Sequence, residues 1–219
     1  MSNIVMSLSG GMDSTTMLGY YLDKGDKVLC VHFQYGSKHN EYELKAVKEV
    51  TEYYSVPLKI INMHEAFSNM TSNLMLSGGE IPEGHYEDIT MKKTVIPGRN
   101  TIFASVLMGI AESIGADTIA LGLHQGDHAI YPDCRKEYTK ALDALVYLAS
   151  DRKIEVEAPF LSTDKTGICT VGLKIDVPYQ LTRTCYKDQP ISCGKCGACQ
   201  ERLIAFELNK RIDPISYEE

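Results

Sequence analysis

Two stretches of this 219-residue chain combine residue types and spacings that could do chemistry. The first is Ser9-Gly10-Gly11-Met12-Asp13-Ser14. It follows a short apolar run, residues 4–8, that reads as a buried parallel strand, and it leads into residues 15–22, which read as a helix. A strand, a glycine-rich turn and a helix N-terminus together make a ready anion site. The glycines let backbone N–H groups turn inward, and the helix dipole adds positive potential. Ser9, Ser14 and Thr15 can donate further hydrogen bonds to phosphate oxygens. Asp13 would repel phosphates unless it caps the helix or helps to hold a bridging Mg²⁺. The plainer alternative is a surface turn with an Asp cap and no ligand. The second stretch is Cys185-x₇-Cys193-x₂-Cys196-x₂-Cys199. Four thiolates at this spacing fit a closed tetrahedral Zn²⁺ site that folds its segment and has no open position for chemistry. An iron–sulfur cluster is the rival, but no other part of the chain suggests redox chemistry.

The elements that must position these groups read as alternating strands and helices. Strands are expected at residues 27–33, 58–62, 117–121 and 154–157, with helices at 39–54, 101–115 and 137–148. This alternation predicts an α/β fold with a doubly wound, mostly parallel sheet covered on both faces. Ligands in such sheets sit beyond the carboxyl ends of the strands, where the opening loop, Phe33 and Tyr35 should lie. Residues 63–91 are weakly patterned, and Met70, Leu74, Met75 and Leu76 suggest a short helix within them. A covering lid and a loop with no task are both open for this insert.

Three further places carry candidates. Arg99 and Asn100 precede an expected helix N-terminus, where a cation opposes the dipole unless an anion stands between. Residues 122–135 gather His124, Asp127, His128, Tyr131, Asp133, Cys134 and Arg135 at the end of a strand. A metal held by His124, Asp127 and His128 is one reading; polar groups selecting a small planar substrate is the favoured one. Cys134 is a minority candidate for a nucleophile. Lys165 begins another helix, either exposed in its first turn or reaching phosphates from the sheet edge. Cys169 reads as a small core residue.

The chain is 44% apolar with a net charge of −7, enough for one sizeable core. The acidic balance argues against nucleic acid or an anionic membrane as partner. No stretch approaches the roughly 20 apolar residues of a membrane span. The start leaves no room for a secretory signal, and seven cysteines, an odd number with four crowded toward one end, suit a reducing compartment, so the cytoplasm is expected. The expected organisation is an ATP-type loop domain over 1–180 and a zinc-binding segment over 181–219 packed on it.

The opening loop matches the S-G-G-x-D-S pyrophosphate loop of the N-type ATP pyrophosphatases. With Pro97-Gly98-Arg99-Asn100, Tyr131-Pro132-Asp133-Cys134-Arg135, Asp164-Lys165 and the cysteine cluster in the same order, the chain resembles the QueC family of 7-cyano-7-deazaguanine synthases. The resemblance implies a ligase that uses ATP, Mg²⁺ and ammonia to turn 7-carboxy-7-deazaguanine into the nitrile through adenylated carboxylate and amide. It implies ATP contacts at Leu8, Ser9, Gly10, Gly11, Met12, Asp13, Ser14, Thr15, Thr16, Met17 and Leu18, with Phe33 and Tyr35. Asp13, Arg99, Asp127 and Lys165 take catalytic roles, and Arg99, Asn100, Asp127, Tyr131, Asp133 and Arg135 face the substrate. Zn²⁺ on the four cysteines and a homodimer are also implied. Residues 125–130 and Ser162-Thr163 depart from the family pattern, which leaves open an amide product serving DNA modification. Another adenylating enzyme of the loop superfamily, such as a tRNA thiolation enzyme with a catalytic cysteine, and a zinc-stabilised ATP-binding regulator are the other readings.

Overall fold

The computed structural model describes residues 1–85 and 88–218. Five parallel strands, β1 (Asn3–Ser7), β2 (Lys27–Gln34), β3 (Leu58–Asn62), β4 (Thr118–Ala120) and β5 (Glu155–Glu157), form one sheet in the order β3-β2-β1-β4-β5. The chain leaves β1 in one direction and returns on the other side at β4, so the strand order reverses between them. Ile4 pairs with Val28 on one side and Thr118 on the other.

Alternation along the strands sorts the core into two layers, as a period of two requires. Ile4 and Met6 face one cluster with Met17, Leu18 and Tyr21 of α1 (Met12–Asp23), Val47 and Val50 of α2 (Asn40–Tyr54), and Ile168 of α6 (Lys165–Lys174). Val5 faces the other with Phe103, Ala104, Leu107 and Ala111 of α4 (Arg99–Ile114) and Leu142 and Val146 of α5 (Lys136–Ala149). The doubly wound α/β expectation is borne out. The buried stripe of α4 is not the expected Ile102, Val106 and Ile110, which are only partly buried. Phe33 explains the rotation: its ring stacks on Phe103 at 4.1 Å between centroids, which turns that face inward.

The expected helix around Met70 to Leu76 is absent. A short α3 (His64–Phe67) comes earlier, and a 3₁₀ turn spans Ile89–Thr94. The backbone near Leu74 is used elsewhere: Lys38 N–H donates to Leu74 O at 2.8 Å, and Leu76 N–H to Gly36 O at 2.9 Å. Leu74 and Met75 enter the core from a run of turns, with Met75 bridged to Ser37, not from a helix. Tyr86 and Glu87 of this insert, and Glu219 at the chain's end, lie outside the described residues.

The last helix, α7 (Gly197–Leu208), packs on α6, with Ala205 and Phe206 meeting Met12, Cys169 and Tyr179. The four cysteines belong to the larger of the two core layers.

Gly10 shows how tightly the opening loop is seated. Its φ is +75°, and an added Cβ would lie 2.9 Å from Ala46 Cβ and from the Val47 backbone nitrogen. Gly10→Ala should therefore cost about 1–2 kcal/mol for left-handed backbone and about 1–3 kcal/mol for overpacking. Urea unfolding checks this, with a midpoint unchanged from wild type as the contrary result.

Candidate active site

The ends of β1, β2 and β4 open on one cavity of ≈ 180 Å³, placed where the strand order reverses. Its floor is the opening loop. Ser9 and Ser14 hydroxyls lie 3.0 Å apart, Gly11 N–H donates to Ser9 Oγ at 3.2 Å, and Ser14 Oγ donates to Gly11 O at 3.3 Å. Helix α1 starts at Met12 with Gly11 as its cap, so Asp13 stands in the first turn and does not cap the helix. Arg183 N–H bonds Gly10 O at 2.8 Å and ties the loop to the segment that leads into the cysteines.

Asp13 is paired with Lys165, whose Nζ also lies 3.3 Å from Glu201 Oε2. Lys165 is 6% exposed, so the expectation of a solvated first-turn lysine fails for a physical reason. Asp164 caps α6 by accepting the Gly167 N–H at 2.7 Å, which fixes the helix start and turns Lys165 inward. Burial works against the ammonium form, but Asp13 and Glu201 outweigh it and raise the Lys165 pKa. Burial also pushes Asp13 upward, and Lys165 and His124 more than reverse this, holding it below its ordinary value. Glu201 goes the other way, raised chiefly by burial.

His124 completes this group. Its Nδ1 accepts the Gly126 N–H at 3.1 Å, so its proton resides on Nε2, 3.5 Å from Asp127 and 3.8 Å from Asp13. A metal on His124, Asp127 and His128 has no support. Among the described residues, only the four cysteines bring three or more metal-ligating groups together.

A second set of polar groups lines the same cavity from β2 and α2. It comprises His32, Tyr35, His39 and Glu43, with Arg99 at the start of α4. The Arg99 guanidinium lies 6.0 Å from the Tyr35 ring centre. Helix α4 begins two residues before the expected position, so Arg99 and Asn100 are in its first turn.

Of the residues named from sequence for ATP, Leu8, Ser9, Gly11, Met12, Asp13, Ser14, Phe33 and Tyr35 line the cavity. Gly10 packs under α2, while Thr15, Thr16, Met17 and Leu18 are buried behind the loop and do not line it. Thr16 is used structurally, bonded to Met12 O at 2.7 Å and Tyr179 Oη at 2.8 Å. Of the substrate candidates, Arg99, Asn100, Asp127 and Tyr131 line the cavity; Asp133 and Arg135 do not. Asp133 Oδ2 accepts the Asn100 N–H at 3.0 Å, and exposed Arg135 donates to His128 O at 3.1 Å. Asp133 is thus placed to cap α4 from a neighbouring turn. Asp133→Ala should lower stability by about 1 kcal/mol, or a Tm drop of about 2–4 °C, as seen by calorimetry. No change in Tm would refute the capping role.

Glu201, Glu43, Arg183, His32 and His39 are among the cavity residues that sequence reading missed. Glu43 carried a usable signal, the i,i+4 spacing from His39, which lies 3.5 Å away in the structure. Glu201 and Arg183 carried none. Arg183 is buried, over the Tyr42 ring, with its guanidinium donating to the carbonyls of Lys187, Gln189 and Pro190.

The four cysteine sulfurs lie within 4.8 Å of one another and are buried. Gly194, at φ +66°, makes the turn that sends the Lys195 and Cys196 N–H groups to Cys193 Sγ at 3.4 and 3.3 Å. Hydrogen bonds from Cys196 and Cys199 lower the pKa of Cys185. Four buried sulfurs gathered around one point and inward N–H groups fit a tetrahedral metal ion. The other cysteines are unsuited to nucleophilic work, because burial pushes Cys30 up to about 12, Cys169 up to about 11, and Cys134 upward as well.

A parallel sheet in this order, carrying a Ser-Gly-Gly-x-Asp-Ser loop at its reversal point, is a doubly wound α/β fold with the loop where the sequence resemblance placed it. Solved structures share the fold. A 4-thiouridine synthetase in complex with RNA and ATP superposes with a TM-score of 0.54 at 21% identity, covering 99% of this chain and 47% of that one. An NMN synthetase from Francisella tularensis gives 0.52 at 13% identity, covering 95% of this chain and 77% of that one. At the family level, residues 3–210 match the sequence model described as queuosine biosynthesis protein QueC. The 7-cyano-7-deazaguanine synthase of Marinobacter nauticus is 42% identical over 216 residues, 99% of this chain and 97% of that protein. The enzyme of the same description from Caldicellulosiruptor bescii is 42% identical over 214 residues, 98% and 96% of the two chains. The chain belongs to the QueC family and is an enzyme of that family.

Proposed function

We propose that this enzyme converts 7-carboxy-7-deazaguanine and ammonia to 7-cyano-7-deazaguanine, using ATP to adenylate first the carboxylate and then the amide. The observation that carries the reading is near-full-length similarity to synthases of that product, joined to a phosphate-type loop facing a buried lysine. A carboxylate oxygen is a poor leaving group, and linking it to AMP makes it a good one. The residues then act mainly by positioning and by stabilising charge.

The opening loop is the seat for the pyrophosphate portion, where its N–H groups and the start of α1 meet negative charge. Lys165 is the fixed cation beside it, held in place by Asp13 and Glu201. Asp13 Oδ1 is buried without a hydrogen-bond partner among the described residues, which fits a Mg²⁺ held jointly with phosphate oxygens. When bound, that ion neutralises phosphate charge. Arg99 faces the carboxylate of the deazaguanine, with Asn100, Asp127 and Tyr131 on its polar edges. In this reading Asp133 and Arg135 act on substrate only through α4 and the 125–135 turns. Zinc fits the four cysteines and ties down α7. A reducing cytoplasm suits the free thiols, a homodimer is the assembly the resemblance implies, and no helix among the described residues is long and apolar enough to cross a membrane.

Two rival readings lose support. A thiolation enzyme needs a reactive cysteine, and the three outside the cluster are buried with raised thiol pKa values. A non-catalytic ATP-binding regulator predicts no pyrophosphate release. Mass spectrometry of the product from 7-carboxy-7-deazaguanine, ATP, Mg²⁺ and ammonium tests the proposal. The nitrile mass is expected, the amide mass would mark an enzyme that stops one step early, and neither mass with no pyrophosphate would overturn the assignment.

A further inference from the structure

We infer that His32, His39 and Glu43, on the β2–α2 side of the cavity, form a binding site for the ammonium ion. The inference rests on the reading above, in which ammonia is the nitrogen donor. The tautomers follow from the partners. His32 Nδ1 lies 3.1 Å from Leu8 O, and a carbonyl only accepts, so Nδ1 carries the proton and Nε2 offers a lone pair. His39 Nε2 lies 3.5 Å from Glu43 Oε1, and a carboxylate accepts, so Nδ1 is the lone-pair nitrogen there. Both lone-pair nitrogens are buried and have no hydrogen-bond partner among the described residues. The two rings are 1% and 2% exposed.

A buried polar atom without a partner is costly, and two in one cavity beside a carboxylate point to a missing donor. Glu43 supplies the charge. Burial opposes its ionised form, while the hydrogen bond from His39 and the positive charge of Arg99 favour it, and the net direction is downward. One anion and two acceptors suit a small cation that only donates, and ammonium has four N–H groups in tetrahedral array. A sodium ion or a water lacks either the donors or the charge. His124, by contrast, already uses both nitrogens.

The location serves the reaction. Arg99, which in this reading holds the carboxylate, lines the same cavity beside Tyr35, and its charge acts on Glu43. Once that carboxylate is seated, Arg99 no longer competes with ammonium for Glu43. When ammonium becomes the nucleophile, one of its protons passes to Nδ1 of His39. This leaves neutral ammonia with its lone pair free and an imidazolium beside Glu43.

Two measurements test the site. In the first, wild-type thermal stability is compared in ammonium chloride and in sodium chloride at equal ionic strength. Ammonium should stabilise, and Glu43→Gln should abolish the difference. In the second, ammonium is the varied substrate, with ATP–pyrophosphate exchange and metal content reporting folded protein. Glu43→Gln and His32→Phe should each raise KM for ammonium about tenfold or more, the rise in KM exceeding any fall in kcat at saturation. Equal stability in the two salts would overturn the site, as would an unchanged KM in both variants or a loss confined to kcat. If wild-type turnover proves independent of ammonium, the proposed reaction fails, and the salt comparison still decides whether the cation site exists.

Discussion

Stripping the metal from the cysteine cluster is expected to collapse the C-terminal part of the protein and abolish activity. Structural zinc contributes about 10–16 kcal/mol of apparent free energy in small peptides, against about 5–15 kcal/mol for the net stability of a whole domain. Here the cluster is not peripheral, since all four cysteines sit in the core layer that includes Leu123 and Tyr131. Cys196 caps α7 and Cys199 lies in its first turn, so an ion held by the cluster would fix the register of the helix that carries Glu201 and Arg202. Treatment with a strong chelator, or the Cys193→Ser substitution, should lower Tm by more than about 15 °C on the usual scaling of stability with size. Elemental analysis should find one zinc per chain, and no visible absorbance of an iron–sulfur cluster. A metal-free protein that melts within about 2 °C of the native one would show the cysteines to be packing residues only.

Lys165→Met should be the most damaging single change in the cavity itself. Methionine keeps the length of the side chain and removes its charge, leaving the half-buried Asp13 and Glu201 without their cation. Breaking a buried pair in this way costs about 3–5 kcal/mol. Loss of the cation should reduce pyrophosphate release about 10²–10³-fold, the scale seen when one preorganised electrostatic donor is removed. The pH dependence gives a signature that a generic loss of packing would not. In the native protein Asp13 titrates below its ordinary value of 3.8, so its stabilisation is present above that pH and is lost as pH falls through the folded-state value. Without Lys165 the two carboxylates share one site and are raised above their unfolded values, so stability is present at low pH and declines as pH rises. Melting at pH 5 and pH 8 should therefore favour the lower pH in Lys165→Met relative to wild type. A variant with turnover within about threefold of wild type would exclude Lys165 from the chemistry.

The parts of the site legible in the sequence were those whose chemistry is local. Ser9 to Ser14 announce a phosphate turn because glycine, hydroxyl and helix start are consecutive. The cysteines announce a metal because thiolate spacing is set by tight turns. Glu201 was illegible because its partner, Lys165, lies 36 positions earlier (201 − 165), and nothing on α7 distinguishes it from a solvated glutamate. Asp133 sits inside a motif and so invited a substrate role; only the three-dimensional approach of its turn to α4 reveals the cap. The helix expected near Leu74 failed because those backbone groups are claimed by Gly36 and Lys38, a non-local pairing that no window of sequence contains.

One consequence of the Asp13–Lys165–Glu201 arrangement concerns order in time. The strand that leads into Asp13 is the middle of the sheet and needs β4, more than a hundred residues later, as a neighbour. The lysine then needs a carboxylate from a helix that the metal ion must organise. During synthesis the opening turn is made before α6 and α7, which supply its charged partners. A nascent chain therefore cannot assemble this charge array until α7 has been made. The array ties readiness of the cavity to the arrival of that helix.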